Sequence, residues 1–367
     1  MHINGEVERL KSEKPSLVLL PDESLNAETP LPLLKNALTP VDAFFVRNNG
    51  RMPFDEPPAT WSLTVDGHVD HPREFTLSAL RDTFETVTVT AVLECAGNGR
   101  AGFDPATDGL AWGRGAVGCA RWTGVRMRDV LNACGICAEA VYTGHHSPDL
   151  AQDGSGPAIS RGLPINRALA PETLIAWAMN DVDLALHHGA PLRVVAPGAP
   201  GSAWQKWLSR IEVRHRVHDG EKMNGTDYRL PNKPVQPGEP LDPAIFEVIE
   251  RMPVNTLITS PNEDARLRVG DPIHVTGFAW SGEGSITKVH VSKDEGRTWV
   301  EAELEPEGHR YAWRGFETTL RCDGGETAII ARAEDASGAV QPLGQAIWNP
   351  RGYCNNAAHR INVQPIR

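Results

Sequence analysis

Residues 89–105 read "VTAVLECAGNGRAGFDP". The run of Val, Ala and Leu reads as a strand entering a core. It delivers Glu94 and Cys95, and the chain then turns through Ala96, Gly97, Asn98 and Gly99 to Arg100. A free cysteine most often serves as a small buried hydrophobe. Its neighbours here open a second reading. The two glycines let a bulky group approach the backbone, and Arg100 adds positive charge that favours a thiolate. A thiolate is a soft metal ligand. At this point Cys95 is open to both roles.

Outward from this stretch the chain is mixed, then purely β. "TLSALRDTF" (76–84) and "RMRDVLNACGI" (126–136) read as short capped helices, and "PLRVVAPG" (191–198) as a buried strand ending in a turn. Residues 1–40, polar and carrying prolines at 15, 21, 30, 32 and 40, read as an irregular arm. Five prolines within residues 229–243 mark a connector. Beyond it, "DPIHVTGFAW", "ITKVHVSKDEG", "AWRGFETTL" and "TAIIARAEDASG" are short strands at regular spacing, which suggests an immunoglobulin-like sandwich. The expected order is an arm over 1–40, an α+β domain over 41–248 and an all-β immunoglobulin-like domain over 249–367.

Length and charge narrow the function classes. A chain of 367 residues suits two domains. Its 36 basic against 47 acidic residues give a net charge of −11, which argues against nucleic acid or an anionic membrane as partner. No apolar run is long enough to cross a bilayer, and the first residues carry no leader pattern, so the expected location is cytoplasmic. Six dispersed cysteines do not make a disulfide scaffold.

Other motifs carry less. Cys134 and Cys137 form a CxxC without the second pair that a thiolate metal site needs, and they read as ordinary thiols at a helix end. His187 and His188 read alone as packing residues. There is no GxSxG elbow, P-loop or GxGxxG.

Six ordered segments carry a resemblance: "FFVRNNGRMP" (44–53), "ECAGNGR" (94–100), "GLAWGRGAVGCARWTGV" (109–125), "MNDVDLALHHGAPLRVVAPGAPGSAWQKWL" (179–208), "GFAWSGEGSITKVHVSKDEGRTW" (277–299) and "IWNPRGYCNNAAHRINV" (347–363). Together they resemble the sulfite oxidase family of molybdenum enzymes, its molybdopterin-binding domain followed by its dimerisation domain. The resemblance runs from about residue 40 to the end. It implies that Cys95 is the protein's ligand to molybdenum, with molybdopterin supplying further sulfurs. It implies that Arg47, Arg100, Trp112 and Tyr228 form the substrate site. Forked guanidinium donors suit a small oxyanion such as sulfite. It implies that Asn49, His188, Arg193, Ser202 and Lys206 contact the cofactor, where cations and polar donors suit a phosphate.

The implied reaction is oxidation of sulfite to sulfate by oxygen-atom transfer. Electrons leave to an external acceptor, since no CxxCH haem motif is present, and the family implies a homodimer. Three positions depart from the family pattern. Asn49 replaces a histidine, Gly99 replaces the first arginine of a pair, and Ser285 stands where an arginine is expected to reach the anion from the β-domain. These departures leave room for another sulfur or small oxo substrate, as in a sulfane dehydrogenase. A binding protein with a degenerate first domain is the remaining alternative.

Overall fold

The computed structural model describes residues 3–367. The first domain is built on two five-stranded sheets. One is antiparallel and runs Val182–Asp183, Leu174–Met179, Val117–Arg126, Thr86–Glu94, with Arg193–Val195 also paired to Leu174–Met179. The other runs Arg73–Thr76, Ser62–Gly67, Arg210–Arg214, Tyr142–His146, Gly162–Pro164, and is mixed because Arg210–Arg214 lies parallel to Ser62–Gly67. A single apolar core draws on both sheets, from Leu63, Val65, Ile211 and Val213 on one side to Ala91, Leu93, Trp122 and Ile175 on the other. Leu174–Met179, "LIAWAM", is buried at every position, as an unbroken apolar run in a covered strand should be. The strand Thr86–Glu94 is partly exposed over its first four residues and buried over its last five. That gradient carries the chain from the surface to the interior at Cys95.

The expected helices form at Leu77–Thr83 and Met127–Cys134. Thr76 Oγ1 caps the first by accepting from the Ala79 amide at 3.1 Å. Gly135 ends the second at φ 71°, a left-handed position that glycine takes without penalty. Cys134 is buried there and Cys137 partly exposed, both as free thiols.

The reading of the N-terminal segment as irregular needs correction. Residues Ile3–Glu13 form a helix with Glu6 in its first turn and Lys11 in its last, which suits the helix dipole. Val7 and Leu10 pack it onto Leu25, Ala27 and Val46, and the short strands Val18–Leu19 and Ala27–Glu28 pair beside it. The prolines obscured it because they all follow the helix. Likewise the connector holds a short strand, Arg229–Pro231, paired with Phe246–Val248.

The second domain is the expected sandwich. One sheet orders Asn255–Ser260, Pro272–Trp280, Arg314–Arg321, Glu303–Leu304, and the other Ala265–Arg268, His359–Ile366, Ala328–Asp335, Ile286–Ser292, Val300–Glu301. Val275, Val289, Val291, Ile329 and Ala331 fill the space between them. Two features join the domains. Leu34, Val92, Val117 and Cys119 bury a shared patch with Leu257, Phe278, Trp280 and Trp313. Each such side chain contributes about 1.5–3 kcal/mol on burial. The second domain's segment 348–355 is also laced to residues 96–108. Trp348 Nε1 donates to Pro105 O at 2.9 Å, the Cys354 amide to Ala96 O at 2.8 Å, and Asn355 Nδ2 to Gly99 O at 2.7 Å.

Candidate active site

The turn after Cys95 is built by its own hydrogen bonds. The Asn98 amide donates to Cys95 O at 2.9 Å and the Arg100 amide to Gly97 O at 3.0 Å. Gly99 sits at φ 78°, and a Cβ on Gly97 would fall 2.4 Å from the Arg100 guanidinium. Asn98 bridges the turn to its surroundings, accepting from the Ala116 amide at 3.1 Å and donating to Glu94 Oε1 at 3.0 Å.

Glu94 is fully buried. Its carboxylate accepts from Trp280 Nε1 at 2.8 Å and Asn255 Nδ2 at 3.2 Å, both from the second domain. Burial pushes its pKa up, against the pull of these donors and of Arg114.

Cys95 opens onto a cleft of about 670 Å³ that is partly open to solvent. Eight of the ten residues expected at the site line it: Arg47, Asn49, Cys95, His188, Arg193, Ser202, Lys206 and Tyr228. They come from five separate stretches of chain, which this fold brings within one cavity.

The inner end carries two cations, Arg193 and Lys206, with the buried carboxyl of Asp149 in the same lining. Arg193 is buried and Lys206 half-buried, and neither forms an ion pair with a carboxylate among the described residues. Arg193 spends its donors on the carbonyls of His188 (2.9 Å) and Trp204 (3.2 Å) and lies 4.9 Å from the Trp122 ring centroid. Lys206 Nζ donates to Asn48 Oδ1 and to His187 O at 3.0 Å, over the Trp207 ring. Burial lowers Arg193 to about 9 and drives Lys206 and His188 well below their ordinary values. Beside these cations, Asn48 Nδ2, His188 Nε2 and Ser202 Oγ are buried with no hydrogen-bond partner. Cations without an ion-pair partner and orphaned polar atoms beside one cavity are costly unless a polar, anionic group fills it. The N-terminal helix closes this end: Glu13 Oε2 lies 3.1 Å from His187 Nε2.

Two expected residues stand elsewhere. Arg100 donates Nε to Arg351 O and Nη1 to Leu110 O, each at 2.8 Å, and its guanidinium lies 5.3 Å from the Tyr353 ring centroid. It braces the cysteine turn against the second domain and does not line the cleft. Trp112 is fully buried, packed edge-to-face on Phe45, which itself lines the cleft. It stands one ring behind the wall.

Ser285 contributes no donor to the cleft. It lies on a turn of the second domain, where its Oγ donates to Glu307, and it is not part of the cleft lining. The second domain supports the site's edge through Arg351 and Tyr353. Arg351 pairs with Asp227 at 3.1 Å and donates to Thr226 Oγ1 at 3.0 Å, just before Tyr228. Tyr353 stacks on Tyr228 with ring centroids 5.2 Å apart.

Residues that motif reading passed over also line the cleft: Phe45, Asp149, His187, Trp204, Gln205 and Trp207. His187, read as a packing residue, is nearly inaccessible and is lowered to about 4 by burial, partly opposed by Glu13. The "WQKW" spacing in residues 204–207, aromatic groups flanking a lysine, was the available signal for two of them.

Comparison with known proteins places this geometry. The family model described as "Oxidoreductase molybdopterin binding domain" matches residues 49–222, and that described as "Mo-co oxidoreductase dimerisation domain" matches residues 246–366. The chain is 36% identical to sulfite oxidase of Gallus gallus, covering 96% of this chain and 77% of that protein. It is 32% identical to sulfite oxidase of Arabidopsis thaliana, covering 95% and 93%. It spans 62% of the length of the mitochondrial sulfite oxidase of Drosophila melanogaster. Among solved structures, the sulfane dehydrogenase SoxCD from Paracoccus pantotrophus superimposes with a TM-score of 0.76 at 26% identity, over 93% of this chain and 85% of that one.

Proposed function

This chain belongs to the sulfite oxidase family of molybdopterin-dependent oxidoreductases, and from that premise we propose that it oxidises sulfite to sulfate. It is an enzyme of the sulfite oxidase/dehydrogenase type, and its cofactor is molybdenum carried by molybdopterin. The cleft fits that group: a free thiol opens into it, and its inner end holds the cations Arg193 and Lys206 and the orphaned His188 Nε2 and Ser202 Oγ. When bound, the cofactor supplies a two-electron redox centre capable of oxygen-atom transfer.

The residues then divide by position. Cys95 binds the metal, a soft ligand for a soft site. Arg193 and Lys206 neutralise the cofactor's phosphate, and His188, Ser202 and Asn49 donate to or accept from its polar edge. Arg47 and Tyr228 hold the substrate anion at the outer side, where Tyr228 Oη already donates to Asn49 Oδ1 at 3.0 Å. His188 is held neutral by burial and its cationic neighbours, so it adds no charge there. Trp204 and Trp207 exclude water from the inner end, which strengthens every charge interaction within it. In the overall reaction sulfite and water become sulfate, two protons and two electrons, and the electrons pass to an external acceptor.

The observation that carries this reading is the convergence of Cys95, Arg47, Tyr228, Arg193 and Lys206 on one cleft. A second reading, oxidation of a sulfane sulfur, draws support from the overlay with SoxCD. The deciding experiment is steady-state oxidation of sulfite by molybdenum-loaded protein, with ferricyanide as electron acceptor and sulfate assayed as product. Sulfite-dependent reduction of two ferricyanides per sulfate formed is expected. Fully loaded protein that leaves sulfite untouched would shift the assignment to the sulfane sulfur.

A further inference from the structure

Three donors meet on a single oxygen at the outer side of the cleft. Arg47 Nη2, Lys222 Nζ and Tyr228 Oη lie 3.0, 3.1 and 3.0 Å from Asn49 Oδ1. A carboxamide oxygen is neutral and offers two lone pairs. Three donors, two of them cationic, exceed what it can use. Neither Arg47 nor Lys222 has a carboxylate partner within ion-pair distance among the described residues. Such a cage suits an anionic oxygen better than the amide it now surrounds.

Lys222 is held in this cage by design of its surroundings. Its φ of 61° lies in the left-handed region, which a residue with a Cβ rarely adopts unless something fixes it. The fixing group is Arg161, 1% exposed, whose Nη1 donates to Lys222 O at 2.7 Å. The same guanidinium lies 5.1 Å from the Tyr228 ring centroid, so one buried arginine sets two of the three donors. Tyr353 supports Tyr228 by stacking. Lys222 also lines, with Arg47 and Asn49, an open depression of about 1180 Å³ that adjoins the cleft. An anion arriving from solvent on that side meets Lys222 on its way in.

We propose that Lys222 is a substrate-binding residue: one anionic oxygen of the substrate docks among Arg47, Lys222 and Tyr228 and takes over the donors now spent on Asn49. The proposal rests on the reading of this site as one that oxidises a small sulfur oxyanion. It adds to that reading a cation that no sequence motif marks.

The test compares wild type, Lys222→Met and Lys222→Arg as molybdenum-loaded enzymes. Two quantities are measured on each: the sulfite KM and kcat, and the Kd for sulfate, the product anion, by isothermal titration calorimetry. Loss of one charged hydrogen-bond donor weakens binding by about ten- to hundredfold, and a partly exposed lysine belongs at the lower end. Lys222→Met should therefore raise both KM and the sulfate Kd about tenfold while kcat changes by less than about threefold, and Lys222→Arg should restore most of the binding. If wild type oxidises sulfite and Lys222→Met keeps its KM and sulfate Kd, the cage is overturned and the functional reading stands. If wild type fails to oxidise sulfite but binds sulfate, and Lys222→Met weakens that binding, the functional reading falls and the cage stands. Wild type that binds no sulfate overturns the cage whatever its turnover.

Discussion

Glu94 stands beside Cys95, and its chemistry shows how single residues tie the site to the fold. A fully buried carboxylate costs several kcal/mol unless its lone pairs are filled. Here Asn98 and Asn255 fill Oε1 and Trp280 fills Oε2. Glutamine carries one acceptor and one donor group at these atoms, so Glu94→Gln leaves at least one N–H facing another. We expect a loss of about 1–3 kcal/mol. The pH dependence follows from the raised pKa. Folded protein holds this proton more tightly than the unfolded chain, so Glu94's contribution is greatest below 4.5 and is lost as pH rises through the folded value. The gap by which the melting temperature of Glu94→Gln lies below wild type should thus narrow as pH rises above 4.5. A gap that widens with pH would contradict this account of Glu94. At this scale the sequence was partly legible. Cys95, Arg47, Arg193 and Lys206 stand in segments whose order identifies them. Arg100 and Trp112 stand in equally clear segments, yet Arg100 turns to carbonyls and Trp112 packs behind the Phe45 ring of the wall. A motif marks a position along the chain and leaves open where a side chain turns. Lys222 and Arg161 gave no signal, because an isolated cation in a turn looks like any solvated residue.

Elements were more legible than side chains wherever periodicity or caps governed them. The run ending at Glu94, the wholly buried "LIAWAM" strand and the two helices capped by Thr76 and Gly135 all follow from local rules. Two elements escaped. The helix Ile3–Glu13 has a modest apolar face, and its packing partners Leu25 and Val46 lie well downstream, so its burial is a tertiary fact. The segment 348–355 has no regular structure at all and is held by bonds to Pro105, Ala96 and Gly99. Its role as a strap over the cysteine turn emerges only when the two domains meet. The loop bearing Arg351 and Tyr353 illustrates the same limit: its contacts to Asp227 and Tyr228 join residues more than a hundred positions apart.

At the scale of the molecule, the two domains form one working unit. The cysteine turn, its glutamate and Tyr228 are each braced by the second domain, through Arg351 O, Trp280 and Tyr353. That domain also matches the dimerisation model of the family. We propose a homodimer formed through residues 249–367, since a twofold isologous contact is the commonest arrangement. Sedimentation should give about twice the 40.0 kDa chain mass at micromolar concentration. A single species at the chain mass would refute the dimer and leave the site intact. The central claim is narrower: a molybdenum centre held by Cys95. The most direct measurement is X-ray absorption at the molybdenum edge on purified wild type and Cys95→Ser, both loaded with cofactor. The thiolate and the pterin's two sulfurs predict about three sulfur neighbours in wild type and about two in the variant. An unchanged sulfur count between the two proteins, with molybdenum present in both, would contradict it.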